Sequence, residues 1–441
     1  MGVYIFGIWS SLTLLQQYLS YSGLGLNFAA NIELSIKNDN YFQYKNQIIS
    51  TAISITTVVS IIICITLIII DLFFHNSFFS FEGQEYIIPI AVLSGLTNIQ
   101  QLMINIYRSY GHLKKIIWSE SLLAIMSLGV LFFIGQKNLI AGSIGSMILA
   151  QAISLGIFLF RTPFTVRFNI AWIPSKKLLL IGIPLLIYNV SYAMITMLAR
   201  TIVGVKYSTI DMGLYSFASA ISGIAMVAVE SIAWLLFPQI LSKLSQPSNP
   251  ELTNSLIEEI KNLYTTSVFF TVLFVILFLP LLLYIIPAYS EAKNVLVILL
   301  ISQIAISYSY AYNCFAMAMK RQILIAFSSI FSVIVIGGLS LSAAQYNLSI
   351  MWIACSVLAG STIFSLLQFI IKNIQLKNKF LFNISNFISP GNIIVIMILI
   401  THAFYSNNYI IVILGIFIFI YINIKYLSKI YKLIFSNIKI N

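Results

Sequence analysis

The sequence predicts an all-α, polytopic integral membrane protein made of two pseudo-symmetric helical lobes. Three observations predict it. Of 441 residues, 60% are hydrophobic and only 8% are charged, whereas a soluble domain carries roughly 25% charged residues. The apolar residues are gathered in runs of about 20 or more, the length that crosses a bilayer core as a helix. The pattern also starts twice: Gly2-Val3-Tyr4 at the N-terminus is matched by Gly213-Leu214-Tyr215-Ser216 near the middle.

Thirteen spans are expected, at 3–31, 47–73, 86–107, 116–134, 139–160, 178–203, 212–238, 265–289, 294–318, 322–343, 348–371, 388–405 and 408–425. Each crosses once, so the loops alternate sides. One set of loops holds twenty of the 24 Lys and Arg residues, the other only Lys137, Lys206 and Lys293, and Arg200 lies within a span. Positive charge marks the cytoplasmic side, so the C-terminus is expected inside and the given N-terminus outside. Met1-Gly2-Val3-Tyr4 aligns with Met212-Gly213-Leu214-Tyr215, the start of the second span of a later pair. One further helix before Met1 is therefore expected, giving fourteen in all with both ends inside. Reporter fusions after Lys115, Lys177 and Lys379 should report cytoplasm, and fusions near Glu82, Asn347 and Asn407 the outside. Two or more fusions reporting the opposite side would break the assignment.

The expected organisation is an N-lobe over 1–160, a cytoplasmic linker over 161–177, a C-lobe over 178–371, and two additional helices with a basic tail over 372–441. Gly142, Ser146 and Ala150 recur every fourth residue and offer a close helix–helix contact. Asn249-Pro250 reads as a helix cap and first position. Leu252, Leu256, Ile257, Ile260 and Leu263 then share a face, which predicts a short amphipathic helix on the inner membrane surface. Pro184, Pro280 and Pro287 mark kinks. Cys64, Cys314 and Cys355 sit singly in three spans and read as small core residues. His75, His112 and His402 lie near span ends and read as interface residues.

The +12 net charge does not point to nucleic acid, because the basic residues punctuate loops rather than forming one basic face. No phosphate-binding glycine loop, nucleophile elbow, zinc-type histidine pair or active-site carboxylate pair is present. The alternative of a membrane polysaccharide polymerase or ligase calls for a large outer loop with acidic and basic groups. The longest outer loop here runs only over 74–85.

Chemistry is expected where polar residues interrupt the central spans. Arg200, with Asn189 and Ser191 on the same helix, and Glu230 on the next all lie inside apolar runs. Ionisable groups at that depth usually face a bundle interior or a wet cavity. An arginine keeps its charge and presents a planar fork to phosphate oxygens. Glu230 is the candidate carrier of a coupling proton.

The segment Gly23-Leu24-Gly25-Leu26-Asn27-Phe28-Ala29-Ala30-Asn31-Ile32-Glu33 resembles the end of the second helix in O-antigen flippases, the Wzx-type polysaccharide transporters of the MOP superfamily. Their pattern there runs roughly D-Y-G-F-N-x-x-A-T-R-E. Gly25, Asn27, Ala30 and Glu33 match, whereas Gly23 and Ile32 stand where relatives often carry Asp and Arg. Leu198-Ala199-Arg200, Gly213-Leu214-Tyr215-Ser216 and Leu236-Phe237-Pro238 resemble the family's seventh and eighth helices, with Ala199 where an Asp often stands. The resemblance implies two six-helix lobes around a central cavity, followed by two extra helices in the bacterial inner membrane. It implies an undecaprenyl-diphosphate-linked oligosaccharide as substrate; Arg200, Asn189, Ser191 and Asn27 are the residues expected to bind it. Coupling to a proton or sodium gradient is implied, with no other cofactor, and a polysaccharide polymerase as a working partner. Another MOP-type exporter, of drugs or of a peptidoglycan precursor, is the nearest alternative.

Overall fold

The computed structural model describes residues 2–36, 42–78, 82–131, 139–160, 162–165, 167–245, 250–376, 387–405 and 409–437. Met1, Lys137, Asn249, Lys379 and Asn407 lie outside them, as do Lys37, Arg161, Lys377 and Lys439 among the twenty loop cations. All regular structure among the described residues is helical. The helices are α1 (Val3–Ser20), α2 (Leu26–Ile36), α3 (Phe42–Phe78), α4 (Ile87–Ser109), α5 (Leu113–Leu131), α6 (Leu139–Leu159), α7 (Trp172–Lys206) and α8 (Thr209–Ser245). There follow α9 (Pro250–Ile285), α10 (Lys293–Ser307), α11 (Tyr310–Ala318), α12 (Gln322–Gln345), α13 (Ile350–Gln375), α14 (Pro390–Tyr405) and α15 (Tyr409–Asn437). Ten helical stretches among the described residues are long and apolar enough to cross a membrane, and the protein is a multi-pass membrane protein. Each of the thirteen expected spans coincides with one or two of these helices.

The chain forms two compact units, Val3–Val190 and Ser191–Asn441, and the division falls inside α7. Two contacts explain why the first half of α7 belongs with the N-terminal unit. Lys177 at its start bonds Glu33 of α2 at 2.6 Å, with the Tyr44 hydroxyl donating to the same carboxylate at 3.2 Å. One turn further on, Gly182 packs directly on the backbone of Leu24 and Gly25.

That contact sits at a break the hydropathy pattern does not show. The first span is not one helix. Tyr21–Gly23 form a 3-10 turn between α1 and α2, and Leu24 (φ 52°) and Gly25 (φ 69°) are left-handed. Helices in lipid gain little from burying apolar surface, so their association rests on close packing and hydrogen bonds. The N-terminal unit shows both. Leu26, Ala30, Ile49, Leu102, Ile106 and Phe158 form a fully buried core. The Tyr107 hydroxyl donates to the Phe158 carbonyl at 2.5 Å, and Ser119 and Ser154 join α5 to α6 through their hydroxyls.

In the second unit α10 is the central helix. It packs on α8, α9, α13 and α14, and Val295 through Ile301 are buried throughout. Its helix is interrupted at Tyr308-Ser309 before α11 resumes. Hydroxyls of Ser340 and Ser356 bond α12 to α13.

Two expectations change. Residues 250–264 do not form a separate surface helix: α9 runs unbroken over 36 residues, roughly 54 Å at the α-helical rise against a hydrocarbon core of about 30 Å. Nothing before Pro280 breaks it, and Ile257 and Lys261 are buried, so this stretch packs as a projecting rod. His402 keeps its place at a span end, in the last turn of α14, but turns inward. It is buried, with its ring edge-on to Tyr409 at 5.0 Å between centroids.

Candidate functional site

A cavity of about 260 Å³ lies within the second unit. Its wall is built by α7 (Tyr192, Ala193, Thr196), α8 (Met226, Glu230), α9 (Tyr264, Val268), the end of α10 (Gln303, Ile306, Ser307) and the start of α11 (Ser309, Tyr310, Asn313). The α10/α11 interruption explains why polar groups gather here. Ser307 and Ser309 turn their hydroxyls back onto the carbonyls of Ile304 and Ile306, both at 2.7 Å, which satisfies acceptors near the interruption.

Aromatic and amide groups dominate the remaining wall. Tyr264 and Tyr310 stack with centroids 4.0 Å apart and planes at 16°. The Tyr310 hydroxyl donates to the Ala233 carbonyl at 3.2 Å, which ties α11 to α8. The Asn313 amide donates weakly to Ser309 at 3.4 Å, while its buried Oδ1 accepts nothing among the described residues. A buried acceptor left unmade costs roughly 1–3 kcal/mol. Glu230 is exposed to the cavity in the protein itself, and no salt bridge reaches it among the described residues.

The sequence-predicted residues divide as follows. Glu230 is part of this wall. Arg200 is half-buried and lies within electrostatic reach of the buried Tyr215 hydroxyl. At 3.6 residues per turn, positions 192, 193, 196 and 200 fall within an arc of about 100°, so Arg200 continues the row that lines the cavity without itself lining it. Ser191 is buried on the opposite side of α7, out of that row. The Asn189 amide donates to the Leu185 carbonyl of its own helix at 2.7 Å. Asn27 belongs to a different, smaller cavity of about 210 Å³ in the N-terminal unit, beside the α1/α2 break, with Thr56, Thr97, Asn98 and Gln101. Its Oδ1 accepts from the Phe28 backbone at 2.9 Å.

Tyr192, Tyr264, Gln303, Tyr310 and Asn313 were missed from sequence. The available signal was Gln303 and Asn313, two amides inside otherwise apolar spans.

With this geometry in view, solved structures identify the fold as that of MOP superfamily transporters. One similar structure is the lipid II flippase MurJ in an inward closed conformation: 15% identity, 99% of this chain and 94% of that chain covered, TM-score 0.70. Another is an inward-facing multidrug resistance MATE family transporter of the MOP superfamily: 14% identity, 86% and 95% covered, TM-score 0.65. A third is a MOP superfamily transporter from Pyrococcus furiosus: 14% identity, 84% and 90% covered, TM-score 0.59. No protein-family model matches the sequence, and no curated protein matches it.

Proposed function

We propose that the protein is a flippase that moves a lipid-linked oligosaccharide across the bacterial inner membrane, from the cytoplasmic to the periplasmic leaflet, with its own C-terminus inside. The substrate is an undecaprenyl-diphosphate-linked repeat unit of O-antigen or a related polysaccharide. The observation that carries this is the composition of the second unit's cavity. Stacked tyrosines, two amides and several hydroxyls surround one carboxylate. Tyrosine faces and amides match the apolar faces and hydroxyl rims of sugars. The fold supports a transporter rather than an enzyme, and its likeness to a lipid II flippase runs through the C-terminal helix pair. Glu230 serves coupling to a proton or sodium gradient, Arg200 the diphosphate, and Asn27 with Asn189 and Ser191 the wider substrate path. A polysaccharide polymerase would consume the product.

The test is complementation of a strain lacking its O-antigen flippase and supplied with the matching sugar-assembly genes. Wild type should restore surface O-antigen. Glu230→Gln should lower it severalfold at matched membrane levels and flatten its dependence on external pH. Full activity with unchanged pH dependence would remove Glu230 from coupling, and no restoration by wild type with any assembly set would overturn the reading. One observation favours a second reading: a carboxylate beside tyrosine rings also suits organic cations. Efflux of ethidium by wild type, lost in Glu230→Gln, would establish a drug exporter instead.

A further inference from the structure

A second cavity of the second unit, about 610 Å³, is not the one discussed above and shares no lining residue with it. It is enclosed by the first turns of α9, the end of α13, the entry to the C-terminal helix pair and the middle of α15. Tyr308, in the α10/α11 interruption, reaches it as well. The elements that surround it carry basic loops, and the cavity itself holds two lysines. Lys261 is 4% exposed and Lys372 3%.

Both lysines rest on one carboxylate. Lys261 Nζ is 2.5 Å from Glu258 Oε2, and Lys372 Nζ is 3.0 Å from Oε1. Lys372 also donates to Asn254 Oδ1 at 2.9 Å. The described lining thus carries one net positive charge in a site withdrawn from water. Lys261 also donates to the Phe387 carbonyl at 3.4 Å, and buried ammonium groups need opposite charge nearby to offset their desolvation. Neutral polar groups extend the site: Asn423 donates to Asn392 at 3.0 Å, and Asn392 to Tyr308 at 3.3 Å. Each of these groups keeps hydrogen-bonding capacity beyond the bonds it makes.

We infer that this cavity binds a phosphate anion. Lysine meets phosphate as a point charge with three donors, and two such donors converge here beside amides and a phenol. The volume admits a phosphate together with the polar group esterified to it. The phosphate comes from a lipid headgroup of the surrounding leaflet or from a soluble phosphate, and the same side chains serve either. The inference does not depend on the proposed transport function, because none of these residues lines the Glu230 cavity.

The experiment uses the full chain in a neutral detergent and phosphate-free buffer. Phosphatidylglycerol, inorganic phosphate and diacylglycerol are added separately, and binding is read by native mass spectrometry and by the thermal midpoint. Phosphatidylglycerol, inorganic phosphate or both should bind and raise the midpoint, and diacylglycerol should not. A response to phosphatidylglycerol alone identifies the lipid as the source, and a response to inorganic phosphate identifies a soluble anion. Lys372→Gln should weaken binding on the order of tenfold, one decade in Kd. Because that variant removes a buried pair, Asn254→Asp provides the second arm: nearly isosteric, it adds a negative charge 2.9 Å from Lys372. Phosphate binding should fall in Asn254→Asp while the unliganded midpoint holds or rises. No adduct and no shift in wild type, or wild-type binding in Asn254→Asp, would overturn the inference.

Discussion

Cells whose only copy of the protein carries Arg200→Ala are expected to lose surface polysaccharide, with the protein still present in the membrane. Arg200 continues the row of α7 residues that lines the Glu230 cavity and sits half-buried near the Tyr215 hydroxyl. Removing one partner of a desolvated charge pair costs about 2–5 kcal/mol, well over tenfold in a binding step. Arg200→Lys should recover only part of the activity, because an ammonium lacks the planar fork that engages phosphate oxygens bidentately. The readout is O-antigen display at matched expression. If the alanine variant complements as well as wild type, Arg200 is an interface anchor that snorkels along its own helix.

The second large effect is on folding. Gly25→Val should abolish monodisperse protein and Gly25→Ala should lower its yield, read by size-exclusion fluorescence of a tagged chain. Gly25 has φ 69°, and a Cβ there would run into the carbonyl of Gly182. The reverse substitution fares no better, since a Cβ on Gly182 would lie 2.8 Å from the Leu24 carbonyl oxygen. A β-branched residue in the left-handed region is strained even in open space, and the neighbour here is backbone, which has nowhere to move. The sum is on the order of 4 kcal/mol or more, in the range of severe single substitutions. Unchanged yield and elution of Gly25→Val would show that the break between α1 and α2 is not fixed by this contact.

Hydropathy made the spans legible because a bilayer requires apolar runs of a set length. It could not show the break at Tyr21–Gly25, since Ser20, Ser22 and Asn27 beside it fall inside one long span whose average stays apolar, and the break itself is a change of backbone. The Gly-Leu-Gly triplet was read for its likeness to a family pattern rather than for its dihedrals. The α9 rod was misjudged for a related reason: residues 250–264 are amphipathic, and amphipathicity alone does not say whether the polar face meets water or a buried partner. Lys261 and Lys372 entered the sequence reading only as loop charges that set orientation. Their common partner Glu258 is 114 residues from Lys372, a separation that single-sequence patterns do not reach. Glu230 was legible because a carboxylate inside an apolar run is conspicuous. Its tyrosine neighbours were not, because tyrosine is common in membrane helices.

The length of α9 ties ion chemistry to membrane thickness. The rod carries Asn254, Glu258 and Lys261 on its first turns and an apolar span from Val268 onward, with no joint between them. Lipids that lengthen or shorten the hydrocarbon layer tilt such a helix, and its charged turns are displaced with it. Lys372, near the end of α13, is registered to the bilayer by a different helix. Hydrophobic mismatch therefore acts on the separation of an ammonium and a carboxylate held 3.0 Å apart, which makes acyl-chain length a variable that loads the Glu258–Lys372 pair directly.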